Sequence, residues 1–169
     1  MGCFISLIEK TAASAWSGVP LLGVKCLVRS LRTPSWIPTA RADFPTQLTD
    51  SAISGPTIDF DKDGIPNLLE YLLSGNPTLL SSGLLPIVSK APGSSSLVFT
   101  YKRKIAATGV TQVIEHSTTL SPPWTAAVHG ASGVTIITAA VPNDTTAEQA
   151  TVTIPSTSTS RFVRLKAIR

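Results

Sequence analysis

The chain has 169 residues, of which 43% are hydrophobic and only 14% charged, with a formal net charge of +4. That is long enough for one domain with a real core and an appendage, and too apolar for a disordered chain. Low charge with plentiful Ser, Thr, Pro and Gly points to extracellular β-structure rather than to a cytosolic enzyme.

The first forty residues are broken in character. Phe4, Ile5, Leu7 and Ile8 give a short helix over Phe4–Ala15, but Glu9 and Lys10 rule out a transmembrane span. A second apolar patch, 19–28, contains Pro20, Gly23 and Lys25 and is too interrupted for a signal-peptide core. Ala40-Arg41-Ala42 has the small-x-small form of a cleavage site, with no apolar stretch directly before it. Met1-Gly2-Cys3 fits an acylation pattern. Residues 1–42 are therefore expected to be poorly structured or a mis-started segment, whose removal leaves the melting temperature nearly unchanged. The chain's two cysteines, Cys3 and Cys26, both fall there. Two thiols define neither a disulfide framework nor a metal site, and their pairing requires an extracellular setting.

Residues 43–57 read as a linker, with Asp43-Phe44-Pro45 and Ser54-Gly55-Pro56. The most informative stretch follows. Asp59, Asp61 and Asp63 fall at every second position, then Gly64, then Glu70 closes a twelve-residue span. This is the ligand spacing of a calcium loop, since hard cations take oxygen donors. Asp59, Asp61 and Asp63 supply side-chain oxygens, Ile65 its carbonyl, Asn67 a direct or water-mediated contact, and Glu70 a bidentate carboxylate. Gly64 permits the sharp turn. Four of the chain's 10 acidic residues lie between positions 59 and 70, where they repel one another without a cation. The alternative is an Asp-rich turn with Asp63 capping the next helix and no metal. Ile65 stands seventh and Pro66 eighth in the loop, and Pro66 has no N–H for the strand pairing of twinned EF-hands. A lone loop of another type is expected.

Pro66–Ser74 is a short helix with Leu68, Leu69, Leu72 and Leu73 on its apolar side. Gly75 is expected to end it as a left-handed cap, and Pro77 to block its return. From residue 84 the period becomes two. Strands are expected at Leu85–Ser89, Ser96–Arg103, Thr111–Ser117, Trp124–Val128, Val134–Ala139, Ala150–Ile154 and Phe162–Ile168. The fold class is mainly β: an antiparallel β-sandwich of about seven strands over 84–169, preceded by the calcium loop and short helix of 58–77.

From residue 78 onward there are 8 Lys or Arg against 3 acids. No aromatic interleaving or nucleic-acid motif accompanies them, so a solvated strand face is expected and nucleic acid is not a partner. His116 and His129 form no zinc motif, and there is no Gly-x-Ser-x-Gly elbow or phosphate loop. Glu115, Asp144 and Glu148 do not by themselves make a glycosidase pair. The chain is read as not an enzyme.

Asp-x-Asp-x-Asp-Gly-Ile-Pro-Asn resembles the calcium loop of thrombospondin type 3 repeats. The longer run from Asp59 to Pro77, with Val113-Ile114-Glu115-His116-Ser117, Trp124-Thr125 and the terminal Ser160–Ala167, resembles a C-terminal β-module of planctomycete and verrucomicrobial secreted or surface proteins. The resemblance covers about residues 43–169. It implies a non-catalytic, calcium-stabilised accessory module, extracellular or at the cell surface. Its partners would be calcium, other domains of a longer protein, or surface polysaccharide. A carbohydrate-binding module is the alternative, and a secreted-hydrolase remnant comes third.

Overall fold

The computed structural model describes residues 2–10, 21–27, 50–81, 83–157 and 160–168. Two antiparallel sheets make up most of it. One carries β1 (Gly2–Lys10), β2 (Leu21–Leu27), β5 (Thr111–Ser117), β6 (Thr125–Ala126) and β9 (Ser160–Ile168), in the order β2-β1-β9-β5-β6. The other carries β3 (Ile87–Lys90), β4 (Leu97–Lys104), β7 (Thr135–Val141) and β8 (Asp144–Ile154), in the order β3-β4-β8-β7. The chain is mainly β and sandwich-like, and each of the seven expected strands is found near its expected place.

Alternation explains the layers. Leu97, Phe99 and Tyr101 of β4 are buried, while Val98, Thr100 and Lys102 between them are more exposed. Val163, Leu165 and Ala167 of β9 and Ala150, Val152 and Ile154 of β8 do the same. Side chains of period two thus meet from both sheets, and the Phe99 and Tyr101 rings lie 5.3 Å apart at 45°. Val141 pairs with Asp144 across a two-residue turn in which Asn143 takes φ 64°, a conformation Asn tolerates. β8 therefore begins at Asp144, six residues earlier than expected.

Two short helices join the sheets to the loop between them. α1 (Ser51–Ser54) is capped by Asp50, whose Oδ1 accepts the Ala52 N–H at 2.9 Å. It lies within the stretch expected to be linker; residues 43–49 of that stretch lie outside the described residues. α2 (Asn67–Leu72) is buried on every side and lies against β1, β4 and β9. A helix with no exposed face belongs to the core, which is why Leu68, Leu69, Leu72 and Leu73 all fit it. The Tyr71 hydroxyl accepts the Thr108 N–H at 3.1 Å, and Lys104 Nζ sits 4.6 Å from the ring centre.

The end of α2 corrects the sequence reading. Ser74, not Gly75, takes the left-handed conformation, with φ 58°. The Ser74 N–H bonds the Tyr71 carbonyl at 3.3 Å and the Gly75 N–H bonds the Glu70 carbonyl at 2.7 Å. Those two bonds make a Schellman cap displaced by one residue from the expected glycine. Gly75 serves another purpose: a Cβ there would crowd the Leu84 Cδ2 methyl, which would have to shift.

The described part of the N-terminal segment departs from the helix expected over Phe4–Ala15. Gly2–Lys10 is a strand rather than the start of a helix, and it pairs with β9 at every position from Gly2↔Ile168 to Lys10↔Ser160. β2 extends the sheet beyond it. Ala40-Arg41-Ala42 and residues 11–15 lie outside the described residues. The pairing has a clear physical benefit: without β1, β9 is an edge with unmet backbone groups. Deleting residues 1–42 is therefore predicted to lower the melting temperature by roughly 5 °C or more and to promote self-association. Thermal melts with light scattering check this, and an unchanged melt and monomer would contradict it.

Candidate metal centre

The loop before α2 folds its carboxylates inward by using its own amides. The Asp59 Oδ2 accepts the Gly64 N–H at 2.9 Å, the Asp61 Oδ1 accepts the Asp63 N–H at 3.2 Å, and the Asp63 Oδ1 accepts the Ile65 N–H at 2.8 Å. Lys62 (φ 63°) and Gly64 (φ 92°) take left-handed conformations, so the every-second spacing forms a tight curl rather than a strand. A Cβ at Gly64 would meet nothing within 4 Å, so conformation and not space selects glycine there. Carboxylate oxygens of Asp59, Asp61 and Asp63 lie within 4.8 Å of one another, in a group that could hold a metal ion.

With one oxygen of each carboxylate tied to the backbone, the second is left over. Asp59 Oδ1 and Asp61 Oδ2 are buried and have no hydrogen-bond partner. Asp63 Oδ2 is met by the Ser81 N–H at 2.8 Å. Ser81 also donates its hydroxyl to Glu70 Oε1 at 3.0 Å, so one residue joins the loop to the helix carboxylate. Glu70 is 0% exposed, and its Oε2 has no partner. A buried acceptor without a donor costs about 1–3 kcal/mol, and more when charged. Glu70 lies outside the group of three aspartates that could hold a metal ion and is joined to it through Ser81; no described Lys, Arg or His pairs with any of these carboxylates.

The titration behaviour follows. Burial raises the Asp61 carboxyl above its usual range, and Asp63 and Asp59 add to this against the opposing backbone bond from Asp63. Burial pushes Glu70 up to about 8; the charges of Asp61, Asp63 and Asp59 reinforce it, and the Ser81 hydroxyl opposes it. Both shifts disfavour the charged form of the group.

The other expected ligands are placed as follows. Ile65 is buried, and its N–H is spent on Asp63. Asn67 is fully buried, and its Nδ2 donates to the carbonyls of Ile53 and Gly55, both at 3.0 Å, so it clamps α1 onto α2. Its Oδ1 has no partner. Asp63 is not the helix cap, because Pro66 occupies that position. Ser81 was not foreseen. It lies eighteen residues from Asp63 and reaches the site because Asn76 folds the chain back, its Oδ1 accepting the Thr78 N–H at 2.9 Å.

Elsewhere among the described residues three acids are ion-paired. Arg164 and Lys166 hold Glu115, Arg103 holds Glu148, and Lys102 holds Asp144. The His129 Nδ1 accepts the Ile136 N–H at 2.9 Å, and the His116 Nδ1 lies 3.2 Å from Arg161. Burial, with Arg161 nearby, lowers the His116 pKa. Comparison with family models, curated proteins and solved structures gave no match.

A pH prediction follows from Glu70. Its folded pKa of about 8 lies above the ordinary 4.5, so the metal-free fold binds the extra proton. Its contribution is fully present below about 4.5 and is lost as pH rises through about 8. Metal-free protein should therefore lose stability between about pH 5 and about pH 9, and Glu70→Gln should flatten that slope. Urea melts of both proteins in chelator measure it. Parallel slopes would refute the assignment.

Proposed function

We propose that the chain is a non-catalytic, calcium-stabilised accessory module of a longer secreted or cell-surface protein, as its resemblance to thrombospondin type 3 calcium loops implies. One observation carries the reading: Glu70 is fully buried with an unpartnered oxygen and is joined through Ser81 to a group of three aspartates that has two more. A divalent cation supplies the missing charge and the missing bonds together.

Calcium fits this donor set best. Asp59, Asp61, Asp63 and Glu70 offer carboxylates, Ile65 a carbonyl and Asn67 a secondary oxygen. Thiolate and imidazole ligands, which favour zinc, are absent from this set. Calcium accepts about 6–8 oxygens in a flexible shell, whereas magnesium demands a near-ideal octahedron. The ion would fasten three pieces of chain at once: the 59–65 loop, α2, and the 76–81 turn through Ser81. That is a structural role, and extracellular calcium is plentiful enough for a weak site.

The non-catalytic part rests on the engaged histidines and acids described above. The carbohydrate-binding alternative needs a row of exposed aromatics. Tyr71, Phe99 and Tyr101 are buried, and the Arg164 guanidinium covers the Trp124 ring at 4.2 Å. These placements weigh against sugar stacking and leave neighbouring domains of the parent protein as the favoured partners.

Isothermal titration with calcium chloride tests the reading. The full chain should bind one ion with a dissociation constant on the order of 10⁻⁴–10⁻³ M. The Asp61→Ala, Asp63→Ala double variant should lose binding. Ser81→Ala should weaken it about tenfold, as loss of a residue that orients ligands does. At about 100 times the dissociation constant, calcium should add about 2.7 kcal/mol to stability. Unchanged affinity in the double variant would end the proposal.

A further inference from the structure

The chain contains two cysteines, and the fold sets them opposite one another. β1 and β2 are antiparallel, and their register pairs Cys3 with Cys26. The pairing runs without interruption from Gly2↔Leu27 to Ile5↔Val24, and its one shift lies beyond, between Ile5 and Leu7. Directly opposed residues of an antiparallel pair have Cα atoms about 4.5–5.5 Å apart. Disulfides span about 4.4–6.8 Å between Cα atoms, so the backbone needs no movement to be bridged. A slip of one residue would destroy the opposition, because facing alternates along a strand.

We propose that Cys3 and Cys26 form a cross-strand disulfide that fastens β2 to the sheet. The chemistry is thiol–disulfide exchange with a low-molecular-weight disulfide such as oxidised glutathione. The thiolate of one cysteine attacks the oxidant, forming a mixed disulfide and releasing one small thiol. The second cysteine attacks the protein sulfur of that mixed disulfide and releases the other small thiol. The two cysteines lose two electrons and two protons, and the oxidant gains them as two thiols.

The position gives the bond a purpose. Among the described residues β2 is the outermost strand of its sheet, with β1 as its one strand neighbour. Such an edge opens readily and offers free backbone groups to other chains. A covalent link keeps β2 in register, and β1 then continues to cover β9 along its length. The bond is independent of the acidic corner, so it stands or falls separately from the calcium proposal.

Peptide mapping of the full chain tests it. The protein is equilibrated with oxidised glutathione, its remaining thiols are alkylated, and it is digested with trypsin without reduction. The expected product, from monomeric protein, is residues 1–10 joined to residues 26–29. Reductant should abolish it, Cys3→Ser should not yield it, and hydrogen exchange over 21–27 should quicken on reduction. Three results would overturn the proposal: alkylation of both cysteines, a separate glutathione on each, or a link found in dimers alone.

Discussion

The structure depends on where Glu70 is kept. A carboxylate with no exposed surface, in a helix buried on every side, carries a desolvation cost that hydrogen bonding from one serine hydroxyl does not offset. Three aspartates in the same corner make ionisation harder still. A cation held by the Asp59, Asp61 and Asp63 group would offset these charges. The loop turns its amides onto one oxygen of each aspartate, Asn67 ties α1 to α2, and Ser81 brings the following turn to the same point. Charge, burial and backbone geometry therefore make a single argument.

The sandwich supplies the rigid partner for that corner. The leucines of α2 share one apolar cluster with Leu97, Phe99, Ile154 and Leu165, and the helix lies against β1, β4 and β9, so the acidic loop is anchored by apolar packing on its helical side. The outer faces are stabilised differently. Arg103 stands opposite Glu148 on β4 and β8, and Arg164 opposite Glu115 on β9 and β5, as directly paired cross-strand charges. The excess of basic residues after position 78 is thus partly spent on the three acids of that region. This accounts for a positive segment that carries no nucleic-acid motif.

The legible features were those written in neighbouring residues. Strand positions followed from period-two burial, and the aspartate cluster from its spacing, because both are local codes. The features that escaped depend on distance along the chain. Gly2–Lys10 has adjacent apolar residues rather than clean alternation, and its strand state comes from pairing with β9, 150 or more residues away. Ser81 reaches Asp63 only through a turn whose endpoint no spacing rule gives. At Gly75 the correct residue was noticed for the wrong reason. Glycine there serves close packing against Leu84, while Ser74 bears the left-handed backbone.

Hydrogen exchange of the full chain in calcium and in EDTA probes the central claim most directly, since it reads the loop and the sandwich separately. Chelation should release the amides of residues 58–77, where the acidic oxygens would again lack partners. Those of β4 and β8, held by apolar packing and strand pairing, should keep their protection. Equal protection of residues 58–77 in both buffers would contradict a structural cation at this corner.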